Sequence, residues 1–114
     1  EKAQASALRA TLHLNCAAVQ LKNCKWEKVV FHSTKALEID GNNAKGLLRR
    51  AKGHRYLNQL EQSKADIQAA LALNPKDKDA LSEWKLLQER EKQWKEVERN
   101  MFSKMLRQNK PDQV

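Results

Sequence analysis

With 114 residues, a formal net charge of +8, three Gly and two Pro, the chain has the size of one ordinary domain and the composition of helices rather than strands. No window alternates apolar and polar residues as a half-buried strand would. No apolar run approaches the roughly eighteen residues of a membrane span, and no signal-peptide pattern opens the chain.

The elements follow from helix formers and the breakers between them. A helix rich in Ala and Leu is predicted over residues 3–22, ended by Asn23-Cys24-Lys25. A second, over 26–39, runs to the turn Asp40-Gly41-Asn42-Asn43. A third is predicted over 44–57 and a fourth over 60–73, stopped by Asn74-Pro75. The last stretch, 77–107, contains no breaker and reads as one long helix.

An internal repeat organises these helices. A shift of thirty-four positions superimposes Asn15 on Arg49, Ala17 on Ala51, Trp26 on Leu60, Glu27 on Glu61, and KALEID at 35–40 on AALALN at 69–74. That period is the length of a tetratricopeptide unit, two antiparallel helices touching at small residues. Ala17 and Ala51 supply one small contact, Ala36 and Ala70 the other. The expected fold is all-α: helix-turn-helix repeats at about 10–43 and 44–77, filling residues 1–75, then a capping helix and tail over 76–114 in the same domain. A third unit starting at Lys78 would put Lys85 where Ala17 and Ala51 stand, so the last helix is read as a cap. Its stripe of Leu81, Trp84, Leu87, Trp94, Val97, Met101 and Met105 would cover the last repeat, and beyond about Glu91 it would project into water.

The charge is uneven. Residues 1–75 hold twelve Lys/Arg against six Asp/Glu, whereas 76–114 hold ten against eight. Within NAKGLLRRAKGHR, residues 43–55, five bases occur with no acid. In a stack of helix pairs the first helix of each unit lines the concave face. Helical spacing then puts Lys45, Arg49, Lys52 and Tyr56 on one stripe and Thr11, Asn15, Ala18 and Lys22 on the matching one. The implied groove is cationic, with room for an extended acidic ligand. Arg50 falls on the helix–helix side and is expected to pack along its stem or pair with an acid. Lys52 and Arg55 read equally well as solvated.

Other constellations carry less. His13 and Cys16 lie three apart on one helix with no orienting acid to complete a catalytic group. His32 and His54 sit at non-equivalent repeat positions. Cys16 and Cys24 form no CxxC and no Cys/His cluster at metal-ligand spacing, so no metal, cofactor or disulfide is expected and a reducing compartment fits best. Trp84, Trp94 and Phe102 on the last helix read either as cap or as an amphipathic target for a partner helix binder. A pI near 9.7 would also allow weak, salt-sensitive polyanion binding, although no nucleic-acid-reading motif is present.

The segments HLNCAA, NAKGLLRRA and NMFSKM, in this order and spacing, resemble the tetratricopeptide domain of FKBP-type immunophilin co-chaperones, over nearly the whole chain. The resemblance implies a noncatalytic domain of a cytoplasmic protein, with the nucleus as a second location, attached to a peptidyl-prolyl isomerase domain that this stretch lacks. It also implies binding of the acidic C-terminal Glu-Glu-Val-Asp tail of heat-shock protein 90 or 70 through a carboxylate clamp. Carried over, the clamp residues are Asn15, Lys45 and Arg49, with Lys22 as a further basic groove position; helical spacing, not the resemblance, adds Lys52 and Tyr56 as secondary ones. Relatives of this type have been linked to calmodulin through the final helix. Their groove includes a preceding repeat contributing another Lys and Asn. Because the chain opens on Glu1, a longer parent is expected, with the clamp incomplete here, binding weaker than in the parent, and self-association able to cover the bare first face.

Overall fold

A computed structural model describes residues 2–108; Glu1 and residues 109–114, the end of the segment read above as capping helix and tail, lie outside them. Five helices follow one another: α1 (Lys2–Lys22), α2 (Trp26–Ile39), α3 (Ala44–Tyr56), α4 (Leu60–Leu73) and α5 (Lys78–Gln108), with no strand among the described residues. Each helix packs on the next, and α3 also touches α1 and α5. The result is two stacked antiparallel hairpins closed by a fifth helix. The predicted boundaries agree with the observed ones to within a residue. At the first turn helix formers continue unbroken from Lys2, so α1 has 21 residues against 13 in α3.

The thirty-four-residue shift reappears in three dimensions. Val29, Ser33 and Ala36 are buried on α2, and Ser63, Ile67 and Ala70 occupy the corresponding places on α4. Ala17 and Ala51 are fully buried where α1 and α3 meet their neighbours, small enough to let helix axes approach closely. The hairpin turns repeat too: Cys24 (φ 57°) and Asn58 (φ 62°) both sit in the left-handed region just past a helix end. There the next amide reaches back, Lys25 N–H to the Gln20 carbonyl and Gln59 N–H to the His54 carbonyl, so helix-end acceptors are satisfied. Asn43 caps α3, its Oδ1 accepting from Gly46 N–H at 3.0 Å, and Asp77 does the same for α5 through Asp79 and Ala80.

The core runs through both hairpins. Leu37, Leu47, Ala70 and Ala80 form one part; Ala51, Ile67 and Leu87 form the other, with Trp84 and Leu60 packed against it. The cap therefore seals the second repeat with Trp84 and Leu87 of the predicted stripe, while Ala80 takes the place expected of Leu81. Ala80, Glu83 and Leu87 are buried, whereas Leu81 is 41% exposed. Ala80 permits the close approach to α4, and Glu83 is drawn inward by a partner described below. From Lys92 onward every described residue is exposed. With 31 residues, α5 is about 46 Å long and extends well past the repeats, giving overall dimensions of 77 × 28 × 22 Å.

Two local tests of this packing arise from the repeat. A methyl group at Gly53 would stand 2.9 Å from Val30 Cγ2 and 3.2 Å from the Trp26 carbonyl oxygen. The carbonyl belongs to a helix end and cannot rotate aside. Gly53→Ala is expected to destabilise by about 1–3 kcal/mol despite its better helix propensity, read from chemical denaturation; an increase in stability would contradict the close α2–α3 approach. The buried serines should behave oppositely. Ser63 Oγ donates to the Ala51 carbonyl at 2.8 Å, whereas the equally buried Ser33 Oγ has no partner among the described residues. Ser63→Ala is expected to cost about 1 kcal/mol and Ser33→Ala to be neutral or stabilising.

Candidate functional site

Three of the predicted binding residues converge. Asn15 from α1, with Lys45 and Arg49 from α3, line a single open hollow of about 500 Å³ together with Thr11, Leu14 and the α2–α3 turn. The repeat explains the convergence, since Thr11 and Asn15 of the first hairpin occupy the places that Lys45 and Arg49 occupy in the second. Asn15 and Lys45 are exposed, their polar ends free to meet a ligand. Arg49 is half-buried, and its Nη1 donates to the Leu14 carbonyl at 2.9 Å. That bond holds the guanidinium over α1 at one edge of the hollow and leaves its other N–H groups for an incoming acceptor.

Sequence reasoning missed one contributor. Asn43 and Ala44, at the start of α3, also line the hollow. The positive end of a 13-residue helix therefore adds to the two cations. The signal was present in Asp40-Gly41-Asn42-Asn43, which was read only as a breaker. Asp40 sits on the rim as the one acid lining the hollow, with its Oδ1 accepting from Asn42 N–H at 3.2 Å.

The secondary residues lie elsewhere. Lys22 is exposed at the last position of α1, and Lys52 is half-buried on α3; neither lines the hollow. Tyr56 stacks flat on Trp26, ring centroids 3.9 Å apart and planes 5° from parallel. It borders a separate, smaller groove with Arg55, Leu86, Glu89, Arg90 and Gln93.

The remaining bases of the acid-free stretch are paired by other helices. Arg50 makes a two-pronged bond to Asp66 of α4, 2.8 Å through each nitrogen, with Thr34 Oγ1 at 3.4 Å from Nη1. The Asp66 hydrogen bond raises the Arg50 pKa above its ordinary value, outweighing the burial that opposes its charge. Arg50 is thus the structural residue that its place on the helix wheel predicts. Arg55 corrects the solvated reading. It grips Glu83 of α5 at 2.9 and 3.3 Å, and both side chains are largely buried. Burial works against the Arg55 charge, but the Glu83 hydrogen bond and charge prevail and the net shift is upward. An acid from α5, twenty-eight residues away, could not be matched to Arg55 by local spacing.

His13 and His32 also meet, Nδ1 to Nδ1 at 3.0 Å. Burial, then the nearby charges of His13 and Lys28, hold the His32 pKa below the ordinary 6.5. The antiparallel hairpin turning at Asn23–Lys25 brings these two positions opposite one another, a consequence overlooked when each histidine was read alone.

An all-helical pair of thirty-four-residue hairpins, with a cationic hollow between their first helices and a helical cap, is a tetratricopeptide domain. No family model matches the chain. The chain is 38% identical over 105 residues to the peptidyl-prolyl cis-trans isomerase FKBP4 of Bos taurus and 36% identical to that of Homo sapiens, in each case over 92% of its own length. It spans only 22% and 23% of those relatives. Among solved structures, the C-terminal tetratricopeptide-containing domain of an FK506-binding protein from Plasmodium falciparum matches with a TM-score of 0.76 and 28% identity. That match covers 80% of this chain and 60% of the other. The second such domain of human RPAP3, in complex with the HSP70 peptide SGPTIEEVD, matches with a TM-score of 0.67 and 32% identity, covering 69% of this chain and 66% of the other. The chain is therefore homologous to the tetratricopeptide region of the FKBP4 isomerases. The stretch matched is that region and not the isomerase domain, so these residues carry no isomerase chemistry.

Proposed function

We propose that this domain is the adaptor of an immunophilin co-chaperone and grips the acidic C-terminal tail of heat-shock protein 90 or 70. The observation that carries the reading is the convergence of Asn15, Lys45 and Arg49 on one hollow at the start of α3. Arg49 offers a planar fork to a carboxylate, Lys45 a point charge and Asn15 an amide donor. The helix end beneath them favours negative charge. The RPAP3 domain lends support, because its matching fold is bound to a peptide ending in Glu-Glu-Val-Asp.

Titration of the chain with a Glu-Glu-Val-Asp-ending peptide, with a free or an amidated C-terminus, tests the reading. Three charge-assisted bonds at about 1.5–3 kcal/mol each, less the cost of ordering the peptide, correspond to binding no tighter than roughly micromolar. Amidation should abolish it. Equal binding of both peptides would mean that a diffuse positive surface, not a clamp, is responsible.

A second reading rests on the far half of α5. Trp94 is 46% exposed and Phe102 62% exposed, with Val97, Met101, Met105 and Leu106 similarly bare. Interspersed with Lys95, Arg99, Lys104 and Arg107, this surface suits a binder of basic amphipathic helices such as calmodulin. A calcium-dependent change in tryptophan emission on adding calmodulin is the expected sign, and its absence leaves α5 as a cap alone.

A further inference from the structure

We propose that His13 and His32 together form a binding site for one divalent transition-metal ion of the nickel, copper or zinc kind, which would clamp α1 to α2. The two Nδ1 atoms are 3.0 Å apart, their rings 5.3 Å apart and tilted by 33°. Two imidazole nitrogens bound to one metal at about 2.0–2.1 Å stand ~2.9 Å apart at a right angle and ~3.4 Å apart at a tetrahedral angle. The observed separation falls within that span, but centroids 5.3 Å apart set the two nitrogens nearly end to end, so a metal enters beside that line once each ring turns by roughly 35–45° about its own centre. Without metal, the contact requires that one Nδ1 carry a proton and the other present a lone pair. Metal entry displaces that proton to solvent and leaves both nitrogens as donors.

The donors come from two helices of the same closely packed hairpin, which fixes their spacing in advance. Both rings are only half-buried, so water can reach the remaining coordination positions. No group of three or more His, Cys, Asp or Glu that could hold a metal occurs among the described residues. Two protein ligands, with Lys28 among the charges acting on His32, therefore make an exchangeable site rather than a permanent one. Imidazole donors without carboxylates select nickel, copper and zinc over magnesium and calcium. His13 is two residues from Asn15 on α1, so the clamp would stiffen the hairpin that presents Asn15 to the hollow.

The full chain carrying Cys16→Ser and Cys24→Ser, which removes the two exposed thiols, is titrated with nickel chloride by calorimetry at a pH above the usual imidazole pKa. One saturable equivalent is expected. It should be lost in His13→Ala and in His32→Ala and kept in His54→Ala, whose Nδ1 is engaged with Gln59 Oε1 at 2.7 Å. Binding that persists in the first two variants, or vanishes in the third, overturns the proposal. A readout independent of how the variants fold is the electron paramagnetic resonance spectrum of one equivalent of copper(II) on the chain with all histidines intact. Coupling to two imidazole nitrogens is expected; coupling to one or none overturns the site.

Discussion

Arg50→Met is expected to destabilise the domain by about 3–5 kcal/mol, and Asp66→Asn by less, about 2–3 kcal/mol. The order follows from depth. Asp66 keeps 8% of its side-chain exposure and Arg50 25%, so removing the arginine strands a carboxylate with little access to water, whereas removing the carboxylate leaves a guanidinium that can still reach solvent. The nearest other cation, His54, is 3.9 Å away and helps only when protonated. Leaving a buried charge unpaired is what costs, not the loss of attraction as such. The double variant Arg50→Met/Asp66→Leu should consequently recover most of the loss. Urea unfolding of the wild type, Arg50→Met, Asp66→Asn and the double variant measures these differences directly. If Asp66→Asn proved the more damaging change, or the double variant were as unstable as Arg50→Met, the burial argument would be wrong.

The adjacent residue should show the opposite behaviour. Arg49→Ala is expected to weaken the acidic peptide by about 10- to 100-fold, corresponding to the loss of one charge-assisted hydrogen bond, with little change in stability. Its bond to the Leu14 carbonyl is a single contact at the hollow's edge. Lys45→Ala should weaken binding by about tenfold, because an exposed ammonium contributes less than a fork held in place. Arg49→Lys should not restore affinity, since a point charge cannot both reach the Leu14 carbonyl and present a flat pair of donors. Chemical-shift titration suits affinities in this weak range. Unchanged affinity in both Lys45→Ala and Arg49→Ala would remove the clamp, while the stability series at Arg50 would stand untouched. Neighbours in sequence thus separate into ligand-facing and core-facing roles.

The chain's regularities were readable because they are local or periodic. Helix formers between breakers set the five helices, and a thirty-four-residue period set which small residues would meet, as the full burial of Ala17, Ala36 and Ala51 shows. The same period identified Asn15 and Arg49 as equivalent positions, and helical spacing put Lys45 one turn before Arg49. These three share a hollow because stacking like units superimposes like positions.

What depended on the rotation of one helix against another was not readable. Arg55 finds Glu83 and Arg50 finds Asp66 across twenty-eight and sixteen residues; nothing near either arginine in the chain names its partner. Tyr56 stacks on Trp26, thirty residues earlier, and does not line the hollow. Leu81 yielded its expected place to Ala80 because the approach of α5 to α4 favoured the smaller side chain. His13 and His32 became a pair only when the first hairpin closed. Local propensity and repeat period therefore determined the helices and the row of groups facing the hollow. The tertiary packing alone decided which charges are neutralised inside the fold and which remain available to a ligand, because a charge's fate depends on what the neighbouring helix brings within about 3 Å of it.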